Sequence, residues 1–167
     1  LLANIGSGFT VSNGYTFYGN GFTVKLPTTS VQDVGNGFTG YISIGASQDD
    51  GIANGGHLDN VRIEGPVYPE MYIYRDQAKI TDSSDPDYGD GTNMRYFKNS
   101  VIVYGGNVTI SNCYISGSRT ALCLRGGNNV VIENTTLSGG AYANMQICAG
   151  STVTLRDLTT VQVDVLD

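Results

Sequence analysis

The chain has 167 residues, 40 % of them apolar and only 14 % charged, which suits one domain with a packed interior. A formal net charge of -6 argues against nucleic acid as a partner, because a phosphate-binding surface needs an excess of Lys and Arg. The 23 Gly argue against a helical protein and for many short strands joined by tight turns, and no apolar run approaches the length of a membrane span.

In chain order, the first element is "YTFYGNGFTV" (residues 15–24), which lines up with "VIVYGGNVTI" (residues 101–110) through an aromatic-Gly turn and the alternation after it. The tripeptide Gly-Phe-Thr starts at Gly8, Gly21 and Gly37, so repetition is expected from about residue 8 onward. A polar, nearly uncharged stretch covers residues 27–37. The strand-like "YISIG" is followed by "ASQDDGIANGGH" (residues 46–57), where later copies have only a Gly pair. This interruption contains Asp49, Asp50 and the single His57. "DNVRIEG" (residues 59–65) reads as a copy of "NNVVIEN" (residues 128–134).

"VYPEMYIYRD" (residues 67–76) puts Tyr72 and Tyr74 on one side of a strand, with Tyr68 and Arg75 beside them. Exposed rings next to Asp, Asn and Arg suit sugars, whose C–H faces stack on aromatics while their hydroxyls meet polar groups. In the other phase of the alternation these tyrosines are core residues, and both phases stay open. Next comes "TDSSDPDYGDGTNMR" (residues 81–95), with Asp82, Asp85, Asp87 and Asp90 inside nine residues. Four carboxylates at short range could supply oxygens to Ca²⁺, although the spacing is not that of an EF-hand loop; the plainer reading is a solvated turn rich in Asp, Pro and Gly.

From residue 99 one phrase is written three times. "NVTISNCYISG" (residues 107–117), "NVVIENTTLSG" (residues 129–139) and "TVTLRDLTTV" (residues 152–161) align at steps of 22 and 23 residues. Val108, Val130 and Val153 fall together, as do Ile110, Ile132 and Leu155, and then Asn112, Asn134 and Asp157. A second phrase lies between the copies: "VIVYGG", "LCLRGG" and "MQICAG". It turns Val101, Leu122 and Met145 inward, with Val103, Leu124 and Ile147 two residues on, and Arg125 outward. A fixed period of this size means stacked units, each pairing its strands with their equivalents one turn later, parallel and about 4.8 Å apart. The recurring Asn is expected at a partly buried corner, where each side-chain amide bonds the next. The Asn-x-Thr sequons at Asn107 and Asn134 fall inside these phrases and read as ladder residues. Cys113, Cys123 and Cys148 are an odd number without zinc-like spacing, hence small apolar or surface residues.

The pattern Val-x-Ile-x-Asn-x-x-Ile resembles the right-handed parallel β-helix repeat of the pectin-lyase-like superfamily. The resemblance implies an all-β, right-handed, single-stranded parallel β-helix, a solenoid of about six to seven turns at this period, over residues 1–167 as a single domain. It also implies a choice of functions, because that superfamily holds polysaccharide lyases, glycoside hydrolases, phage tailspikes and surface adhesins. Asp49-Asp50, Gly56-His57-Leu58 and Arg62-Ile63-Glu64 are similar to the polygalacturonase motifs, but they crowd into 16 residues where the family spreads them over successive turns, and Glu64 stands where a Lys would meet a carboxylated sugar. Asp49, Asp50 and His57 are thus weak catalytic candidates. Lyases of the fold use Asp-bound Ca²⁺ and an Arg base, for which the Asp82–Asp90 loop with Arg75, Arg95, Arg119 or Arg125 would serve.

The expectation is a secreted or cell-surface, non-catalytic module acting in adhesion, carbohydrate binding or as a rigid spacer. The alternatives are a lyase or glycoside hydrolase acting on uronate-rich polymers, and a phage tailspike segment. The open strand edges of a coil call for capping by neighbouring domains or chain copies. The chain begins at Leu1 without Met and alternates to its last residues, so it is expected to be a fragment of a longer chain.

Overall fold

The computed structural model describes residues 8–11, 14–26, 41–45, 55–65, 99–118, 120–125, 128–140, 143–148, 150–159 and 163–166. Among them the chain forms short β-strands and no helix. In chain order these are β1 (Thr10–Val11), β2 (Thr16–Tyr18), β3 (Thr23–Lys25), β4 (Ile42–Ile44), β5 (His57–Asp59), β6 (Arg62–Glu64) and β7 (Asn99–Val103). There follow β8 (Gly106–Ser111), β9 (Tyr114–Ser116), β10 (Thr120–Leu124), β11 (Asn128–Ser138), β12 (Ala143–Cys148), β13 (Thr152–Thr159) and β14 (Val163–Leu166).

Every pairing is parallel, and every strand pairs with its equivalent in a neighbouring rung. The first sheet stacks β1, β4, β7, β10, β12 and β14. The second stacks β2, β5, β8, β11 and β13 at one end and β3, β6, β9 and β11 at the other, because β11 runs through the corner as one long strand. Strands that succeed one another without pairing to each other are what a coil produces. The number of turns expected from a uniform period does not carry over as a count. The separation between stacked residues is 22 from Asn107 to Asn129 but 33 from Thr10 to Ser43 and 52 from His57 to Thr109. The early rungs thus carry long insertions, which include the interruption at residues 46–57 and the stretches at 27–37 and 81–95.

Both sheets contribute to one apolar core. Ile42, Val101, Leu122 and Met145 form one column, and Ile44, Val103 and Leu124 another, all fully buried. In the second sheet Leu58, Ile110 and Ile132 stack, as do Ile63, Ile115 and Leu137. Each such side chain contributes about 1.5–3 kcal/mol by leaving water. Near the first rung, Phe9 and Phe17 pack against the core with ring centroids 4.4 Å apart. At the other end Leu155, in the column above Ile132, is 47 % exposed; among the described strands β13 has a neighbour on one side only.

Two of the alignments drawn from the sequence are corrected by the register. Residues 16–18 pair with 57–59 and these with 109–111, so "YTFYGNGFTV" corresponds to the second-sheet phrase and not to "VIVYGGNVTI". Asp59 stands on Ser111, which stands on Glu133, so Asn60 is the equivalent of Asn112 and Asn134. The sequence match of residues 59–65 to 128–134 is therefore five positions out. The physical reason is that alternation of period two fits several registers, and the core columns choose one of them.

The corner also differs from expectation. Asn60, Asn112 and Asn134 are exposed rather than partly buried, and they share an unusual backbone. Their φ values are 52°, 56° and 45°, and Asp157 continues the row at 49°. A left-handed residue at this bend is tolerated best by Gly, Asn and Asp, so the recurring Asn answers a backbone demand first. The side chains then bond along the row: Asn134 Nδ2 donates to Asn112 Oδ1 (2.7 Å), and Asn112 Nδ2 to Asp59 Oδ1 (2.8 Å). In the first rung the corner is widened into a Gly19-Asn20-Gly21-Phe22 turn, closed by Phe22 N–H to Gly19 O (3.0 Å), with positive φ at Asn20 and Gly21 as in a type I′ turn.

Two tests follow from the register. Ile132→Asp places an unpartnered carboxylate in the core and abolishes the cooperative unfolding transition, whereas Leu155→Asp costs less than about 2 kcal/mol; urea denaturation followed by circular dichroism separates them. At the corner, Asn134→Ala costs about 1–2 kcal/mol and Asn134→Gly costs less, the reverse of the order at an ordinary strand position, read from the urea midpoints.

Candidate functional site

The outer face of the second sheet gathers the chemistry-bearing side chains that are described. Alternation sends Leu58, Ile110 and Ile132 inward and therefore sends their neighbours outward on a spacing of about 4.8 Å between rungs. One row holds Tyr18, Asp59, Ser111, Glu133 and Arg156, and the row beyond the corner holds Thr23, Arg62, Tyr114 and Thr136.

Most charged groups on this face are engaged with a neighbour. Asp59 Oδ1 accepts from Ser111 Oγ (2.8 Å) and from Asn112 Nδ2. Glu133 pairs with Arg156 (3.4 Å), and Glu64 with Arg62, whose guanidinium pKa this carboxylate hydrogen bond raises. The Arg62 guanidinium lies 3.9 Å from the centroid of the Tyr114 ring, a cation–π contact between adjacent rungs. Ser138 Oγ donates to the Tyr114 hydroxyl (2.9 Å), and that hydrogen bond is the largest cause of the lowered Tyr114 pKa.

His57, which the sequence puts in the interruption at residues 46–57, belongs to a strand. It opens β5, is half-buried, and its Nδ1 accepts the Thr109 backbone N–H (3.0 Å). A neutral imidazole that accepts at Nδ1 carries its proton on Nε2 and can offer only a donor to a ligand. In this geometry it is poorly set to act as a base.

The other sequence candidates divide as follows. Asp49 and Asp50, the Tyr68, Tyr72, Tyr74 and Arg75 strand, and the Asp82, Asp85, Asp87 and Asp90 loop proposed for Ca²⁺ lie outside the described residues. Among the described residues no group of three His, Cys, Asp or Glu could hold a metal ion, and no helix is long and apolar enough to cross a membrane. Arg125 is exposed, as its alignment with Tyr104 and Cys148 implied. Tyr104 is half-buried, and burial is the main cause that pushes its hydroxyl up to about 12.

Two exposed aromatic groups at the first rung carry no signal in the sequence that separates them from core residues, and of the two only Tyr18 stands in the outward row. Tyr15 is 72 % and Tyr18 59 % exposed, at the two ends of β2. Tyr18 stands in register with Asp59, and the Tyr15 carbonyl accepts the His57 N–H (2.9 Å).

The parallel rungs, the apolar columns and the Asn corner match one family description, a right-handed β-helix region, over residues 51–161. The chain belongs to the right-handed β-helix family. That assignment supplies the hand of the coil, and with it the sense in which each β-helix rung climbs to the next. No curated protein and no solved structure matches the chain.

The three cysteines are free thiols, Cys113 and Cys123 buried and Cys148 half-buried in the β-helix. Burial pushes the Cys113 thiol up to about 11, while its Sγ donates to the Ser111 carbonyl (3.0 Å). An unfolded thiol ionises near about 8.5, so the neutral thiol contributes stability fully below that pH and loses it as the pH rises through the folded value. Wild-type protein should therefore lose more stability than Cys113→Ala between about pH 8.5 and about pH 11, measured by urea midpoints. At about pH 8, iodoacetamide should label Cys148 well before Cys113.

Proposed function

We propose that the chain is a non-catalytic, extracellular or cell-surface β-helix module that binds carbohydrate on the outer face of its second sheet and otherwise serves as a rigid spacer. The observation that carries this reading is the engagement of the polar groups on that face. Asp59, Glu64, Glu133 and His57 Nδ1 are all occupied by neighbouring groups, so the face offers fixed hydrogen-bonding groups rather than an isolated acid–base pair. Tyr18 adds an exposed ring in register with Asp59 on this polar surface, and an extended sugar chain needs both kinds of contact. Nothing on this face calls for a uronate, since Arg62 and Arg156 are already paired with Glu64 and Glu133. Neighbouring domains or other copies of the chain would cap the coil ends.

A panel of uronate-rich and neutral polysaccharides, each with Ca²⁺ and with chelator, tests the reading. The expected result is retention of the protein on at least one polymer with no new chain ends, and retention weakened about tenfold by Tyr18→Ala. New chain ends would replace this reading with a polysaccharide lyase or glycoside hydrolase and direct attention to Asp49, Asp50 and the Asp82–Asp90 loop. A trimer in solution would favour a tailspike segment.

A further inference from the structure

The two carboxylates of the outward row are each held by one oxygen. Asp59 Oδ1 accepts from Ser111 Oγ and Asn112 Nδ2, and Glu133 pairs with Arg156 through Oε2. Asp59 Oδ2 and Glu133 Oε1 have no hydrogen-bond partner among the described residues. Both groups are therefore fixed by a neighbour while one oxygen of each stays open. A carboxylate oxygen only accepts, so what it takes from a sugar is a hydroxyl proton.

Register sets the distance between them. Asp59 stands on Ser111 and Ser111 on Glu133, with no shift along the strands. The two carboxylates thus lie two rungs apart, about 10 Å, on a line that follows the coil axis. Ser111 between them already gives its hydroxyl proton to Asp59, and Tyr18 extends the line by one rung with its exposed ring. The exposed corner residues Asn60, Asn112 and Asn134 run alongside. A polymer lying along this row meets an open carboxylate at every second rung.

That alternation selects among polymers. One hexose in a fully extended chain covers close to one rung. In a β-1,4-linked chain each linkage flips the ring, so the same edge of the sugar faces the protein at every second residue. The period of such a chain, two sugars, matches the period of the open carboxylates, two rungs. An α-1,4-linked chain curves into a coil and leaves a straight row. A uronate polymer sets its own carboxylates against Asp59 and Glu133, and like charges brought together reject a ligand.

We infer that the ligand of this face is a neutral, extended β-1,4-linked polysaccharide, lying parallel to the coil axis with one sugar per rung, in which hydroxyls of alternate sugars donate to Asp59 Oδ2 and Glu133 Oε1. The inference rests on the carbohydrate-binding reading of the second sheet and narrows it to one class of polymer.

Titration calorimetry of the intact chain with cello-oligosaccharides and manno-oligosaccharides of increasing length tests it. Three sugars are the shortest chain that reaches both carboxylates, so affinity should rise about tenfold from the disaccharide to the trisaccharide. In Asp59→Asn, and separately in Glu133→Gln, the side chain keeps an oxygen toward its present partner and puts an amide donor where the open oxygen was. In each variant that rise should disappear while disaccharide affinity changes little. Malto-oligosaccharides of the same lengths should show no rise at the third sugar. A wild-type affinity that does not increase from two sugars to three would overturn the inference without any variant, and so would a rise that survives in both variants. Retention confined to uronate-rich or α-linked polymers would overturn it and leave the carbohydrate reading standing, whereas retention on no polymer removes both.

Discussion

Each inward side chain in this β-helix rests on its equivalent one rung away, and that column stacking is the constraint on which the rest depends. A rung of short strands cannot bury its own apolar residues. Stacked on a neighbour, the same residues form continuous columns, such as Leu58, Ile110 and Ile132, and the backbone groups of each rung find partners in the next. The columns also fix register, since a slip by one residue would turn Ile110 to solvent and Thr109 to the core. The exposure of Leu155 at the last described rung of its column shows the same dependence from the other side: a residue of the right type is uncovered where nothing described stacks above it.

Register then settles the surface. Once Leu58 and Ile110 are stacked, Asp59 must stand beside Ser111, and Arg62 beside Tyr114. The polar bonds between rungs follow from that placement. Individually these are weak, since exposed ion pairs contribute little in water. Together they hold long side chains in a regular array, and they leave Asp59, Glu64 and Glu133 with partners on the protein. The face is thus organised in advance, with Tyr18 projecting from it at the first rung. The contact between the Thr109 amide and the His57 imidazole comes from the same arrangement, because only the stacking of β5 on β8 brings the two together.

The corner shows how one residue type can meet two demands. The bend requires a left-handed residue, which narrows the choice to Gly, Asn or Asp. Of these, Asn alone both donates and accepts, so Asn112 can receive from Asn134 in its own row and give to Asp59 in the row beside it. Where the first rung widens its corner, the left-handed residues are supplied by Asn20 and Gly21 in a turn of their own. The periodic Asn is thus a mark of backbone geometry, legible in a sequence as a polar residue that recurs among apolar ones.

By itself the sequence determined the family, the strand phrases after residue 99 and the inward residues of that half, because there the period is short and constant and each copy confirms the next. Val108, Val130 and Val153, or Val101, Leu122 and Met145, could be read as columns before any fold was known. It could not place residues 15–24 or 59–65, because long insertions break the period there and alternation alone fits several registers. The tertiary structure decided those positions by packing Leu58 under Ile110 and Ile63 beside Ile115. It also decided the site. Tyr18 and Asp59, or His57 and Thr109, lie far apart in the chain, and no local pattern joins them; they meet because the core columns admit one register, and the outer face inherits it.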